Sequence, residues 1–208
     1  MLHLACHYGH VDLAHILVDC GADMSAQTMS GSTALHLALE NGHVVLAQML
    51  VECGADVSVQ REDGWTALHL ASRYDHVDLA QMLVERGANL SAQTKHGSTV
   101  LHLASYYDQL DLARMLVERS ANMSAQREDG WTVLHLASRK GHVDLVRVFV
   151  ECGASMSAKT RDGRTALNLA SEQGHADLAK ILVEHNSDMA PQETPQNTST
   201  TCITVCTE

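Results

Sequence analysis

Histidine and cysteine side chains are the groups in this chain that could do acid–base, nucleophilic or metal chemistry, since it has 14 His and six Cys. Imidazole titrates near neutral pH, which suits proton transfer, and thiolates with imidazoles are common zinc ligands. Either chemistry needs a unique place where several such groups converge. Ten of the histidines instead fall into two series, most of whose members are 33 residues apart. The first series is His3, His36, His69, His102 and His135, and the second is His10, His43, His76, His142 and His175.

A residue that recurs at one place in every unit of a repeat meets a need of every unit. Stacking spreads identical residues along a line rather than into one tetrahedron, so we predict structural histidines and no metal site. The same argument covers Cys20, Cys53 and Cys152, which share one repeat position. Cys202 and Cys206 lie four residues apart with no histidine nearby, and we predict that they belong to a solvated tail. Without a C-x-x-C pair, the cysteines indicate free thiols in a reducing compartment.

Sequence motifs give no support for catalysis. The chain contains no G-x-x-x-x-G-K-[ST], G-x-S-x-G or H-E-x-x-H motif. Serine and histidine are plentiful, yet nothing pairs a nucleophile with a base at a unique site. We therefore predict a protein that is not an enzyme and that requires no cofactor.

Charge and hydropathy exclude further classes. The net charge is −11, from 25 acidic residues against 14 Lys and Arg, which argues against binding to a nucleic-acid backbone. No stretch of 18 apolar residues is present, so we predict no membrane span. The first ten residues lack the pattern of a secretory signal, and we expect an intracellular protein, cytoplasmic or alternatively nuclear.

The elements that position these side chains repeat along most of the chain. Leu-His-Leu-Ala recurs at a constant step of 33 residues, which indicates a solenoid whose units stack to bury a shared face. In each complete unit a threonine precedes a helix of about eight residues and can cap it. A glycine ends that helix in most units, and Asp75 or Asp108 takes its place in two of them. A second helix follows, as at Val77–Glu85. The capping threonines are Thr33, Thr66, Thr99, Thr132 and Thr165.

The segments T-A-L-H-L-A, G-H-V-D-L-A and G-A-D-M-S-A-Q resemble the ankyrin repeat over Met1–Met189. The resemblance implies an all-α solenoid of stacked helix–turn–helix units joined by β-turn or hairpin loops. It also implies that the first histidine series hydrogen-bonds the backbone of the neighbouring turn, and that the second lies between the two helices. The family's proline after threonine is Ala or Val here, which implies a modestly lower stability.

The predicted repeat units span residues 1–27, 28–60, 61–93, 94–126, 127–159 and 160–189. The first unit is incomplete, so we expect a fragment, a truncated gene model or one end of a longer array. Residues 190–208, rich in Thr, Gln and Pro, are predicted to be a disordered tail. We expect a monomeric array or part of a longer chain.

A binding site is expected where the units differ, because the shared positions hold the stack together. The units differ at the turn tips and at the end of the first helix, which the family resemblance places on one concave surface. Six of the seven aromatic residues fall at these positions. The predicted partner-binding residues are Trp65, Tyr74, Tyr106, Tyr107, Trp131, Arg61, Arg73, Lys95, Arg127, Arg139, Lys140 and Arg164.

Both tryptophans lie in copies of one hexapeptide, R-E-D-G-W-T. Duplication explains why the two copies match, but it does not explain why both lie on the variable edge. We expect that edge to be exposed, and replacement of both tryptophans by alanine to weaken a partner by at least ~2 kcal/mol.

The predicted function is recognition of a protein partner of unknown identity, as an adaptor or recognition part of a larger protein. The alternative is a structural or regulatory array attached to a catalytic or signalling domain, such as a kinase, an NTPase or a ubiquitin-ligase adaptor. Sequence from outside the chain would distinguish the two.

Overall fold

A computed structural model describes residues 1–188 of the chain, and the predicted tail, with Cys202 and Cys206, lies outside the described residues. Helices alternate in pairs along the described part of the chain. The first helices of the pairs are α1 (Leu2–Tyr8), α3 (Ala34–Glu40), α5 (Ala67–Arg73), α7 (Val100–Tyr106), α9 (Val133–Lys140) and α11 (Ala166–Glu172). The second helices are α2 (Val11–Asp19), α4 (Val44–Glu52), α6 (Val77–Glu85), α8 (Leu110–Glu118), α10 (Val143–Glu151) and α12 (Ala176–Asp188).

The predicted all-α solenoid is confirmed. Each first helix packs on the first helix of the next pair, and each second helix packs on the next second helix. One continuous core of Leu, Ala and Val runs through the stack, and its bulkiest fully buried side chain is Phe149, at a position that is leucine in the other units. Within residues 1–188 no strand forms beyond an isolated bridge between Gln60 and Thr66. In that same part of the chain, no helix is both long and apolar enough to cross a membrane.

Threonine and histidine together cap the first helices. In the third unit the Thr66 backbone N–H donates to His69 Nδ1 at 3.2 Å, and the Thr66 hydroxyl lies 2.8 Å from the same nitrogen. The opposite ring nitrogen, Nε2, lies 3.2 Å from the carbonyl oxygen of Ser98 in the next turn. Because Nδ1 accepts and Nε2 faces an acceptor, the ring is held neutral with its proton on Nε2. The histidine thus joins its own helix cap to the next unit.

Left-handed residues end the first helices, as predicted. Gly9 and Gly141 adopt positive φ, and so do Asp75 at 59° and Asp108 at 61°. At Gly9 a Cβ would also lie 2.5 Å from the His43 ring, which would have to move to make room for it. A third non-glycine residue with positive φ, Ser120 at 62°, follows the second helix α8, where four of the other units have glycine.

Ser120→Gly is expected to raise the free energy of unfolding by about 1 kcal/mol, because glycine adopts the left-handed region without a Cβ penalty. The greater freedom of glycine in the unfolded chain offsets part of this gain. The matched control is Gly87→Ser, at the equivalent position of the preceding unit, where a Cβ meets no atom within 4 Å. Urea unfolding followed by circular dichroism should show opposite shifts of the two variants, and shifts in the same direction would contradict the explanation.

The turn tips are hydrogen-bonded to one another in sequence. Each tip donates one backbone N–H to the tip before it: Glu62 to Ser30 at 3.1 Å, Lys95 to Asp63 at 2.7 Å, Glu128 to His96 at 3.2 Å and Arg161 to Asp129 at 2.9 Å. The approach is close enough that a Cβ on Gly64 would lie 2.6 Å from the carbonyl oxygen of Gln93. Backbone hydrogen bonds therefore join successive turn tips, which carry the variable residues, into one row.

Candidate binding surface

Six of the predicted partner-binding residues lie together at the ends of three neighbouring helices, α5, α7 and α9. They are Arg73, Tyr74, Tyr106, Tyr107, Arg139 and Lys140, and we call them the aromatic–basic strip. All six are exposed, and the three tyrosines retain 40–44% of their accessible surface. Since α5 packs on α7 and α7 on α9, the strip crosses three adjacent units.

Contacts between rings and cations arrange the side chains of the strip. Lys140 Nζ lies 4.2 Å from the centre of the Tyr106 ring in the preceding unit. Tyr106 and Tyr107 meet edge to face with their ring centres 5.0 Å apart, and the Arg73 guanidinium lies 5.8 Å from the Tyr74 ring centre. These geometries fall within the range of favourable aromatic and cation–π contacts. The contact between Lys140 and Tyr106 was not predicted, although aligning the units at the 33-residue step places Tyr107 opposite Lys140.

Polar contacts between units fix the helix ends that carry the strip. His142 Nε2 lies 3.4 Å from the Tyr106 carbonyl oxygen, and His175 Nε2 lies 3.1 Å from that of Arg139. Between the third and fourth units, buried Gln109 takes the place of the histidine. Its side-chain amide accepts from the Ser72 hydroxyl at 2.8 Å and donates to Asp75 at 3.0 Å. The strip therefore rests on hydrogen-bonded joints between neighbouring units.

Arginines of the turn tips are already paired within the array. Arg61, whose side chain is only 15% exposed, binds Glu40 at 3.3 Å and Asp63 at 3.2 Å. Arg127 pairs with Asp129 at 3.4 Å. Arg164 binds Asp162 and, at 3.1 Å, Glu172. The structure therefore does not bring these three arginines into the strip as free cations. The i,i+2 spacing of Arg61–Asp63, Arg127–Asp129 and Arg164–Asp162 could have indicated the pairing from the sequence.

Burial of Trp131 contradicts the expectation that both tryptophans are exposed. Its side chain is 8% exposed and packs with Leu136 of its own unit and Leu169 of the next, in a small cluster of its own. The Arg139 and Arg164 guanidiniums lie 5.3 and 5.9 Å from its ring centre. Trp131 is therefore a packing residue rather than part of the exposed surface. Of the two arginines over its ring, Arg139 belongs to the strip.

Trp65 is half-buried and packs at the edge of the main core, with Arg73 5.3 Å from its ring centre. The two tryptophans differ because their next units differ. Arg164 covers Trp131, whereas the residue at the equivalent repeat position, 33 residues after Trp65, is Ser98. Lys95, the remaining predicted cation, is exposed on the turn tip and makes no ion pair with any described residue.

Most histidines of the first series have the structural role that the resemblance implies. His3, His69, His102 and His135 each direct Nε2 at a backbone carbonyl in or just before the next turn, at 3.0–3.2 Å. His36 is the exception, because its buried Nε2 has no hydrogen-bond partner among the described residues. Burial lowers the pKa of His36, His69 and His102 to about 4, because a charged imidazole would lose its hydration. These side chains are therefore neutral at pH 7.

Cysteine side chains do not form a reactive site among the described residues. Burial raises the pKa of the Cys6 thiol to about 11, which keeps it protonated. Cys20, Cys53 and Cys152 are free and exposed, one to a unit. Across residues 1–188, no group of three or more His, Cys, Asp or Glu side chains is placed to hold a metal ion.

The comparisons with known proteins agree with this architecture. The family model for ankyrin repeats, which spans three copies of the repeat, matches residues 1–61, 46–127 and 101–193. A solved ankyrin repeat domain from Acinetobacter baumannii AYE superposes with a TM-score of 0.83 at 25% sequence identity, covering 89% of this chain and 97% of that one. No curated protein matches the sequence significantly. Ankyrin repeats are generally protein–protein interaction modules. By its sequence match and its fold, the chain belongs to the ankyrin repeat family.

Proposed function

We propose that this chain is a non-enzymatic binding module that engages a partner protein through the aromatic–basic strip. One observation carries the proposal: three exposed tyrosines and three unpaired cations lie side by side on three adjacent units. Tyrosine and arginine are enriched at the centres of protein interfaces. Tyrosine buries a large area with few rotors to immobilise, and arginine adds a planar group that stacks on rings and pairs with carboxylates. Lys95, on the neighbouring turn tip, extends the proposed surface.

The module is proposed to act as an adaptor or recognition part of a larger protein in the cytoplasm. Four free cysteines within the described residues support a reducing compartment. An array that is held together by structural histidines and carries its variable residues at one edge supports binding rather than catalysis.

The test is affinity capture with the purified chain, followed by reconstitution with each captured protein in purified form. Tyr106→Ala combined with Tyr107→Ala is expected to weaken binding by at least about 30-fold, the equivalent of a central hot spot. Isothermal titration calorimetry would measure the affinity. Both tyrosines are exposed at 43–44%, so the double variant should fold.

The matched control is Arg114→Ala combined with Arg147→Ala, since these two exposed side chains lie on the second helices α8 and α10, away from the strip. The control should bind with the affinity of the unmodified chain. Equal affinities of all three proteins for every reconstituted partner would contradict the assignment of the surface.

A further inference from the structure

We propose that the occupant of the strip is an acidic peptide segment, whose Asp or Glu carboxylates meet Arg73, Arg139 and Lys140. The inference rests on the proposed function of the strip and adds the chemistry of the partner. It comes from the distribution of ion pairs, because the three cations make none with any described residue while the acids around them are engaged.

Acidic side chains at both ends of the strip are neutralised by arginines of the turn tips. Glu40, at the end of α3, pairs with Arg61, and Glu172, at the end of α11, pairs with Arg164. The centre of the row of helix ends, from α5 to α9, therefore carries three cations without ion pairs, beside the two carboxylates of Asp75 and Asp108 and between two neutralised flanks. A ligand with negative charge gains most at this centre, because exposed charges act over only about 8 Å at physiological salt.

Two further acids lie next to the strip and are oriented toward the following unit. Asp75 accepts a hydrogen bond from Gln109 at 3.0 Å, and Asp108 lies 3.5 Å from His142 Nδ1. Each contact turns the carboxylate toward the start of the next second helix. The guanidiniums of Arg73 and Arg139 instead lie over the faces of Trp65 and Trp131. A guanidinium so placed has its direction fixed by the indole and can accept a carboxylate in paired hydrogen bonds at low entropic cost.

The dimensions fit a short extended peptide. Packed helices lie about 8–10 Å apart, so the ends of α5, α7 and α9 span roughly 16–20 Å. An extended chain rises about 3.3 Å per residue, and five or six residues cover that span. Carboxylates near the two ends of such a segment would reach Arg73 on one side and Arg139 with Lys140 on the other. An apolar residue between them would meet the rings of Tyr106 and Tyr107.

A nucleic acid is disfavoured as the occupant of the same surface. A polyphosphate extends its charge beyond three cations, toward a chain whose net charge is −11. A peptide carries its carboxylates over a few residues only, and the rest of it can be neutral.

The test uses fluorescein-labelled twelve-residue peptides in which six residues are Asp or Glu and the others are Leu, Ser and Gly. A neutral counterpart has Asn and Gln at the same positions, a third has Lys, and a single-stranded twelve-nucleotide DNA is a fourth probe. Fluorescence anisotropy with the unmodified chain is expected to show at least about 10-fold tighter binding of the acidic peptide than of any other probe, weakening as salt rises.

Matched variants locate the binding. Arg73→Gln, Arg139→Gln and Lys140→Gln together should abolish the preference for acidic peptide. Arg114→Gln, Arg147→Gln and Lys180→Gln, which change the net charge equally on the second helices, should change the affinity less than twofold. Equal affinity for the acidic and neutral peptides, no binding of the acidic peptide up to millimolar concentration, or tighter binding of DNA would each overturn the proposal.

The outcomes separate this inference from the proposed function. If the tyrosine substitutions abolish partner binding but the chain binds acidic and neutral peptides equally, the strip remains the binding surface and only the acidic partner is ruled out. Acidic peptide that binds the glutamine variant of the strip as tightly as the unmodified chain would also remove the acidic partner, whereas the proposed function fails only if the tyrosine substitutions leave partner binding unchanged.

Discussion

Lowering the pH from 7.5 to 5 is expected to remove about 6 kcal/mol from the free energy of unfolding of the array, about 2 kcal/mol for each of three buried histidines. His36, His69 and His102 are each 1% exposed, and burial lowers their pKa to about 4. Each Nδ1 accepts a hydrogen bond from the backbone N–H of the capping threonine. Protonation would therefore place a charge in the core and break the helix cap.

The sign follows from the two states. Well above pH 6.5 these histidines are neutral whether the chain is folded or unfolded, and they add no pH dependence. Between 6.5 and about 4 the unfolded chain takes up protons that the folded chain does not, so stability falls as the pH falls. Hydrogen bonds from Ser25, Ser58 and Thr160 lower the pKa of Asp23, Asp56 and Asp162, whose contributions are lost only at a lower pH.

Urea unfolding at several pH values, followed by circular dichroism, measures the effect. Asparagine is the substitution that keeps the helix cap. In the sixth unit Asn168 occupies the histidine position, and its Oδ1 accepts a hydrogen bond from the Thr165 backbone N–H at 2.9 Å. Replacing His36, His69 and His102 by asparagine should lower stability at pH 7.5 but flatten its dependence between pH 7.5 and 5. Asparagine at the exposed positions His15 and His96 is the control. An unmodified chain equally stable at both pH values would refute the mechanism.

The fold could be predicted from the sequence because its signals are local and recur in every unit. The second helix expected at Val77–Glu85 has those bounds in the structure, and the capping threonines begin five of the first helices. A left-handed aspartate at Asp75 was also predictable, since that unit lacks the glycine that ends the helix elsewhere. Each of these features depends on residues a few positions apart.

The candidate surface was only partly predictable, because it depends on side chains from neighbouring units. The exposed tyrosines at the helix ends were found by comparing the units. The pairing of Arg61 with Glu40 and the cover of Trp131 by Arg164 link residues 21 and 33 positions apart, and no local pattern distinguishes them from free side chains. Identical hexapeptides therefore produce a buried tryptophan in one place and a half-buried one in the other.

Trp131→Ala is expected to lower the free energy of unfolding by about 3–4 kcal/mol, close to the cost of removing a large aromatic residue from a core. Trp65→Ala should cost less, about 1–2 kcal/mol, because that ring is only half-buried and a single guanidinium, that of Arg73, lies over it among the described residues. Urea unfolding followed by circular dichroism compares the two without depending on tryptophan emission. Equal losses would contradict the difference in packing.

Arg164→Ser tests why the two tryptophans differ in burial. It places at position 164 the serine that stands at the equivalent position, Ser98, in the unit after Trp65. The tryptophan emission of the folded variant should shift to longer wavelength as water reaches the Trp131 ring.

Because Trp131 packs on Leu169, its removal loosens the junction between the fifth and sixth units. A loss of partner binding in a double tryptophan variant would therefore mix unfolding with lost contacts. Substitutions in the exposed tyrosine pair, Tyr106 and Tyr107, avoid this mixing.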